Sequence, residues 1–141
     1  MRGFIRIFGA LGLATLMAAP AAAQSWPDKP VRLVVPYPPG GNVDSAARIV
    51  AAKLQEALSQ PFVVENKPGA CGMIAGETVA RAEPDGYTLF VAANGPLIFS
   101  PTIFGRTPYT WSKDFEPISS ISFTPLILQV NAAVPAKTVA E

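Results

Sequence analysis

Short apolar runs alternate along this chain with stretches whose apolar residues recur at helical spacing. Residues 31–35 are rich in β-branched side chains and bounded by prolines, which predicts a buried strand, and residues 62–66 and 87–92 predict two more. After the first strand, apolar residues at helical spacing predict a helix that begins near Asn42: Val43, Ala46, Ala47, Val50, Leu54 and Leu58. The alternation predicts an α/β fold of βαβα units around a largely parallel sheet.

Each predicted strand runs into a turn that contains glycine. The first two turns read PYPPGG at 36–41 and KPGACG at 67–72, and the third is Ala93-Asn94-Gly95-Pro96. A strand, a glycine turn and a helix N-terminus together expose free N–H groups and the positive end of a helix dipole. Since the carboxyl ends of neighbouring parallel strands share an edge, we expect these turns to face one hollow. The alternative is a set of ordinary connections.

Three polar residues of these turns allow two interpretations each. Asp44 stabilises the first helical turn but repels an anion, so it either points away or meets an amine or water on the ligand. Cys71 is either a thiolate stabilised at a helix N-terminus or a small residue in a tight turn. Asn94 either contacts a ligand or simply forms the turn.

Other segments predict the remaining architecture. A helix starts at Met73 and ends near Arg81, with Ala75 and Gly76 allowing close packing. Residues 97–104 suggest a short apolar helix or turn, and residues 107–116 a polar and aromatic surface loop. Residues 126–130 predict a strand that crosses out of the domain.

The first 23 residues differ in character from the rest. Two arginines, an apolar run over 7–19 and the small residues at 21–23 are typical of a secretory signal peptide, cleaved after Ala23. We therefore expect export to the periplasm. Without Arg2 and Arg6, nine basic residues face ten acidic ones, so no basic patch favours nucleic acid.

The residue types that are missing exclude several kinds of active site. The 141 residues contain no histidine and one cysteine, Cys71. A Ser-His-Asp triad, a Cys-His dyad, an imidazole metal site and an internal disulfide are therefore excluded within these residues. The turns PPGG and GACG also fail the G-x-G-x-x-G pattern of a dinucleotide-binding enzyme.

The chain ends on Thr138-Val139-Ala140-Glu141, which has the spacing of a capping box at the start of a helix. A single helical turn does not hold together alone. We therefore expect the chain to be a fragment of a longer protein.

Several stretches together resemble one known family. They read WPDKPVRLVVPYPPGGNVDSAARIVAAKL, VVENKPGACGMIAGETVARAEPDGYTLF, TPYTWSKDFEPIS and VNAAVPAKTVAE, and occur in family order. The chain resembles the Bug family, the TctC-like extracytoplasmic receptors of tripartite tricarboxylate transporters. The resemblance implies a fold like that of type 2 periplasmic binding proteins, in which two lobes close on a small carboxylate-bearing solute. By that comparison residues 24–125 form most of the first lobe, and residues 126–141 form a crossover strand and the start of the second.

The resemblance also implies a function and a site. It implies a monomeric receptor, not an enzyme, that needs no cofactor or metal and delivers a small organic acid to the membrane components of a transporter. Ligand-contacting residues would come from three turns: Tyr37, Pro39, Gly40, Gly41, Asn42 and Asp44; Gly69, Ala70, Cys71 and Gly72; Ala93, Asn94 and Gly95. Tyr37 would pack beside the solute.

The chain departs from the family in two respects. Cys71 stands where relatives often have glycine or serine, and Asn94-Gly95-Pro96 is less typical. Most of the second lobe is absent, so we expect this chain alone to bind its solute weakly or not at all. The alternatives are a truncated product that binds nothing, a periplasmic sensor accessory, and a nucleotide-binding enzyme domain.

Overall fold

The computed structural model describes residues 26–105, 108–125, 127–135 and 138–139. Its elements are β1 (Val31–Val35), α1 (Asn42–Leu58), β2 (Phe62–Asn66), a 3-10 turn (Ala70–Gly72), α2 (Met73–Ala80), β3 (Thr88–Phe90), a π-helical stretch (Gly95–Phe99), α3 (Ser100–Phe104) and α4 (Trp111–Asp114). The predicted signal peptide lies outside the described residues, and so do Leu126 of the predicted crossing strand and Glu141 of the predicted capping box.

The sheet is parallel and has the order β2-β1-β3. Val31 to Val35 pair with Phe62 to Asn66, and Arg32 to Val34 pair with Thr88 to Phe90. The third strand is shorter than the predicted 87–92, but the carbonyl of Tyr87 and the N–H of Val91 still bond to the central strand at 2.8 and 3.0 Å. The parallel α/β sheet confirms the predicted fold class.

The central strand is buried because both faces of the sheet are covered. Val31 and Leu33 pack with Ala51 of α1 and Phe62 of β2. On the other face Val34 is fully buried, and α2 lies against β1 and β3. Burying one valine side chain stabilises the fold by about 1.5–3 kcal/mol. A polar residue at one of these buried positions would lose that energy, and the one polar residue of β1, Arg32, lies at an exposed position. Arg32 remains exposed and pairs with Glu65 at 2.6 Å.

Helix α2 packs closely through its small residues, as predicted. Ala75 and Gly76 are buried, and the ring of Tyr109 lies directly over Gly76. Tyr109 is only 4% exposed, and its hydroxyl donates to the carbonyl of Pro96 at 2.7 Å. The prediction of a surface loop over 107–116 is therefore wrong at Tyr109, because this aromatic ring fills the space that glycine leaves. It is also wrong at 111–114, where α4 forms.

The predicted crossing strand does not form in residues 127–130. Ile127 and Leu128 are each 77% exposed, and no described residue pairs with this segment in a ladder. A strand needs a neighbouring strand to satisfy its backbone groups, so β-branched composition alone does not produce one. Among the described residues, no helix has both the length and the apolar character that a bilayer span requires.

We expect Gly76→Ala to destabilise the protein by about 1–3 kcal/mol, because the added methyl group would lie 2.5 Å from Cζ of Tyr109. Helix propensity alone predicts the opposite sign, since alanine in a helix interior is favoured over glycine by about 0.5–1 kcal/mol. Urea unfolding of both proteins measures the difference. A variant more stable than the wild type would contradict the packing of Tyr109 on α2.

Candidate functional site

The glycine turns meet at one edge of the sheet, as the parallel strands predicted. We call them loop 1 (residues 36–41), loop 2 (residues 67–72) and loop 3 (residues 91–96). A methyl group built on Gly72 would lie 3.0 Å from side-chain atoms of both Pro36 and Pro96. Gly72 has φ of +87°, a conformation that glycine adopts easily. Because glycine also has no side chain, loop 2 can pack directly against Pro36 and Pro96.

Asp44 lies under loop 1 and is nearly fully buried. Its carboxylate accepts the N–H of Gly40 at 2.8 Å, the amide of Asn66 at 2.9 Å and the guanidinium of Arg48 at 3.0 Å. These donors, with Arg48 foremost, hold the pKa of Asp44 well below its usual range. Asp44 therefore lies behind loop 1 with its carboxylate engaged by the protein, and whether it contacts a ligand stays a prediction.

Tyr37 connects loop 1 to loop 3. Its ring is half-buried, and its hydroxyl accepts the N–H of Ala93. Partial burial is the main reason that the pKa of Tyr37 is raised. The same hydroxyl lies 3.0 Å from the position that a methyl group on Gly95 would take. The side chain therefore fixes the spacing of the two loops.

Loops 2 and 3 are joined by a buried hydroxyl. Ser100 is 1% exposed, and its Oγ lies 3.0 Å from the carbonyl oxygens of both Cys71 and Gly95. Cys71 is exposed and has φ of +53°, a left-handed conformation that glycine adopts at lower cost. Its backbone carbonyl is engaged by Ser100, whereas its thiol faces solvent.

Two adjoining concavities open beside loops 1 and 3. A groove of about 580 Å³ lies between the start of α1, the end of β3 with loop 3, and residues 119–124. A second hollow of about 530 Å³ lies over loop 1, and both include Asn42 and Val43. Volumes of 300–1,000 Å³ suit small molecules. The described residues that line the groove are all uncharged: Asn42, Val43, Ala46, Phe90, Val91, Ala92, Ala93, Asn94, Ser119, Ser120, Ile121, Ser122, Phe123 and Thr124.

The predicted site residues divide into four groups. Ala93 and Asn94 line the groove; Tyr37, Pro39, Gly40 and Gly41 line the hollow; and Asn42 lines both. Gly95 packs against Tyr37, and Gly72 is buried between prolines. Gly69, Ala70 and Cys71 are exposed at the same edge but line neither concavity. Asp44 lies behind loop 1.

Sequence reasoning missed one wall of the groove and the support behind loop 1. Residues 119–124 form the wall, where the amide of Asn42 donates to the hydroxyl of Thr124 at 2.8 Å. Arg48 and Asn66 form the support. Of these residues, only Arg48 could have been found from the sequence. It follows Asp44 by four positions, the spacing at which oppositely charged side chains pair on one face of a helix. Within the described residues, no group of three metal-ligating side chains comes together.

The model of one protein family matches residues 46–141, more than half of the chain. Its description is TctC, tripartite tricarboxylate transporter family receptor. The chain belongs to the TctC family. This result confirms the resemblance read from the sequence, and the match covers α1 from Ala46 onward and all the elements that follow it.

Curated relatives and solved structures agree with the TctC assignment. A UPF0065 protein of Bordetella bronchiseptica is 41% identical over 89% of this chain, and BugT of Bordetella pertussis is 39% identical over 82%. The chain spans only 38% and 36% of these two relatives. MatC from Rhodopseudomonas palustris, solved with bound malate, is 38% identical with a TM-score of 0.65, and the match covers 68% of this chain and 33% of MatC. A TctC solute-binding protein from Polaromonas without ligand is 35% identical with a TM-score of 0.55, over 61% of this chain and 29% of that protein.

Proposed function

We propose that this chain is part of a periplasmic solute receptor that binds a small carboxylate at the edge where loops 1 and 3 meet. The observation that carries this proposal is the uncharged groove beside the first turn of α1. No side chain caps that turn within the described residues, and the first N–H groups of a helix have no partner inside it. Backbone N–H groups at such a position suit carboxylate oxygens.

Two further observations support the proposal. MatC, which shares this fold at 38% identity, was solved with malate. The family description names a receptor of a tripartite tricarboxylate transporter, so the partners we propose are the membrane components of such a transporter. The TctC assignment also favours a binding protein over an enzyme.

Thermal unfolding in the presence of malate, succinate or citrate tests the carboxylate class. The protein should be produced from its complete reading frame. A ligand at one hundred times its Kd stabilises the native state by about 2.7 kcal/mol, which raises Tm by a few degrees. Malamide, in which neutral amides replace the carboxylates of malate, is the matched control. Equal shifts with malate and malamide, or no shift with any of the three acids, would count against the proposal.

We expect Asn94→Asp to weaken binding of the stabilising acid about tenfold, because a carboxylate in the groove wall repels the carboxylate of the solute. Asn131→Asp adds the same charge in an exposed turn whose hydrogen bond, from the N–H of Ala133, an aspartate can keep. Isothermal titration of both variants gives the comparison. Equal Kd values for the two variants would place the solute away from loop 3.

A further inference from the structure

We propose that Asn66 is a positioning residue of the solute site, which holds loop 1 in its binding shape from the end of the neighbouring strand. The inference rests on the proposed function, because it assumes that loop 1 contacts the solute. Asn66 itself lines neither concavity and would act only through other residues.

The hydrogen bonds of Asn66 reach two separate elements. Its Nδ2 donates to the backbone carbonyl of Tyr37 at 3.0 Å and to Oδ1 of Asp44 at 2.9 Å. Its Oδ1 accepts from the guanidinium of Arg48 at 3.0 Å. One side chain at the end of β2 therefore engages both the start of loop 1 and the first turns of α1. An asparagine suits this place because it offers two donors and an acceptor from one planar group.

The bond to Asp44 extends this control to the glycines of loop 1. Asp44 accepts the N–H of Gly40, so its carboxylate fixes the middle of the loop. Asn66 and Arg48 in turn orient that carboxylate. Gly40 and Gly41 line the hollow over loop 1, so a shift of Asp44 would move backbone that faces solute space.

The backbone around Asn66 gives it a fixed base. It pairs with Val35, the last residue of β1, and the next N–H, of Lys67, donates to the carbonyl of Val35 at 2.8 Å. Asn66 thus sits where loops 1 and 2 both leave the sheet. A polar side chain held by a sheet ladder can position a loop more accurately than one on a loop, because the ladder restricts its backbone.

Asn66→Ala removes all three side-chain bonds, and Asn66→Asp keeps an acceptor for Arg48 but loses the donor to Tyr37 and Asp44. Two measurements on the protein from its complete reading frame test the proposal. The first is the amide exchange rate of Gly40 without ligand. The second is the Kd for malate, succinate or citrate, whichever raises the Tm of the wild type most. In both variants we expect Gly40 to exchange about tenfold faster and the Kd to rise about tenfold.

Tyr87→Phe is the matched control for general loss of stability. The hydroxyl of Tyr87 bonds with the backbone and side chain of Asp28 at 2.9 and 2.5 Å, at the opposite edge of the sheet. The Tyr87→Phe variant should leave unchanged, relative to the wild type, both the amide exchange rate of Gly40 and the Kd for the acid. The proposal is overturned if the Asn66 variants behave like Tyr87→Phe, or if Gly40 exchanges faster while the Kd stays constant. A wild type that binds none of the acids refutes the proposed function, whereas the exchange of Gly40 still decides whether Asn66 holds loop 1.

Discussion

Gly72→Ala is expected to destabilise the protein by about 3 kcal/mol. Two costs add. A non-glycine residue in a left-handed conformation costs about 1–2 kcal/mol, and Gly72 has φ of +87°. The new methyl group would also lie 3.0 Å from both Pro36 and Pro96, and overpacking typically costs about 1–3 kcal/mol. Urea unfolding measured by circular dichroism gives the change in free energy.

Gly105→Ala separates these two costs. Gly105 also has a positive φ, +68°, but a methyl group there would meet no described residue within 4 Å. Only the backbone cost remains, so we expect a loss of about 1–2 kcal/mol. The difference between the two variants measures how tightly the three loops pack. Equal losses would mean that loop 2 does not contact Pro36 and Pro96 as the structure has it.

The strands and long helices could be predicted because their signals are local. The prolines and glycines of loop 1 end β1 and leave α1 to begin at Asn42, as expected. The shared edge of the turns followed from topology, since parallel strands place their carboxyl ends together. These steps need only the order of residues in the chain and general rules of backbone geometry.

The groove could not be predicted in full because one wall depends on a distant contact. Phe115 stacks on Phe90 at 5.4 Å and so brings the chain that follows it alongside β3. Residues 119–124 then face Asn42 and Val43 across the groove. Their serines have no helical or strand periodicity that would have marked them as part of a site.

The orientation of Asp44 shows the same limit at a single residue. The sequence left two interpretations open, and Arg48 was a local hint of the inward one. A second side-chain partner, Asn66, lies 22 positions later and reaches Asp44 only because β1 and β2 pair in this register. Tyr87 and Tyr109 show the same limit for aromatic residues. Asp28, which bonds to the hydroxyl of Tyr87, and Gly76, which lies under the ring of Tyr109, are both distant in sequence.

The support behind loop 1 predicts a specific dependence of stability on pH. The pKa of Asp44 is lower in the folded protein than its unfolded value of about 3.9. Its contribution to stability is therefore fully present above pH 4, and is lost as pH falls through the folded pKa. Asp44→Asn keeps the shape of the side chain but replaces one acceptor oxygen with an NH2 group that cannot accept the N–H of Gly40 or the guanidinium of Arg48.

We therefore expect Asp44→Asn to lower Tm by several degrees at pH 7, and the gap to the wild type to narrow as the pH is lowered below 4. Glu65 and Asp85 also have lowered pKa values, so the wild type alone would report their sum. Subtracting the variant at each pH isolates Asp44, because both other carboxylates are present in both proteins. Scanning calorimetry from pH 7 to pH 2 measures the gap. A gap that stays constant over this range would mean that the charge of Asp44 does not hold loop 1, and that its partners bind the protonated acid equally well.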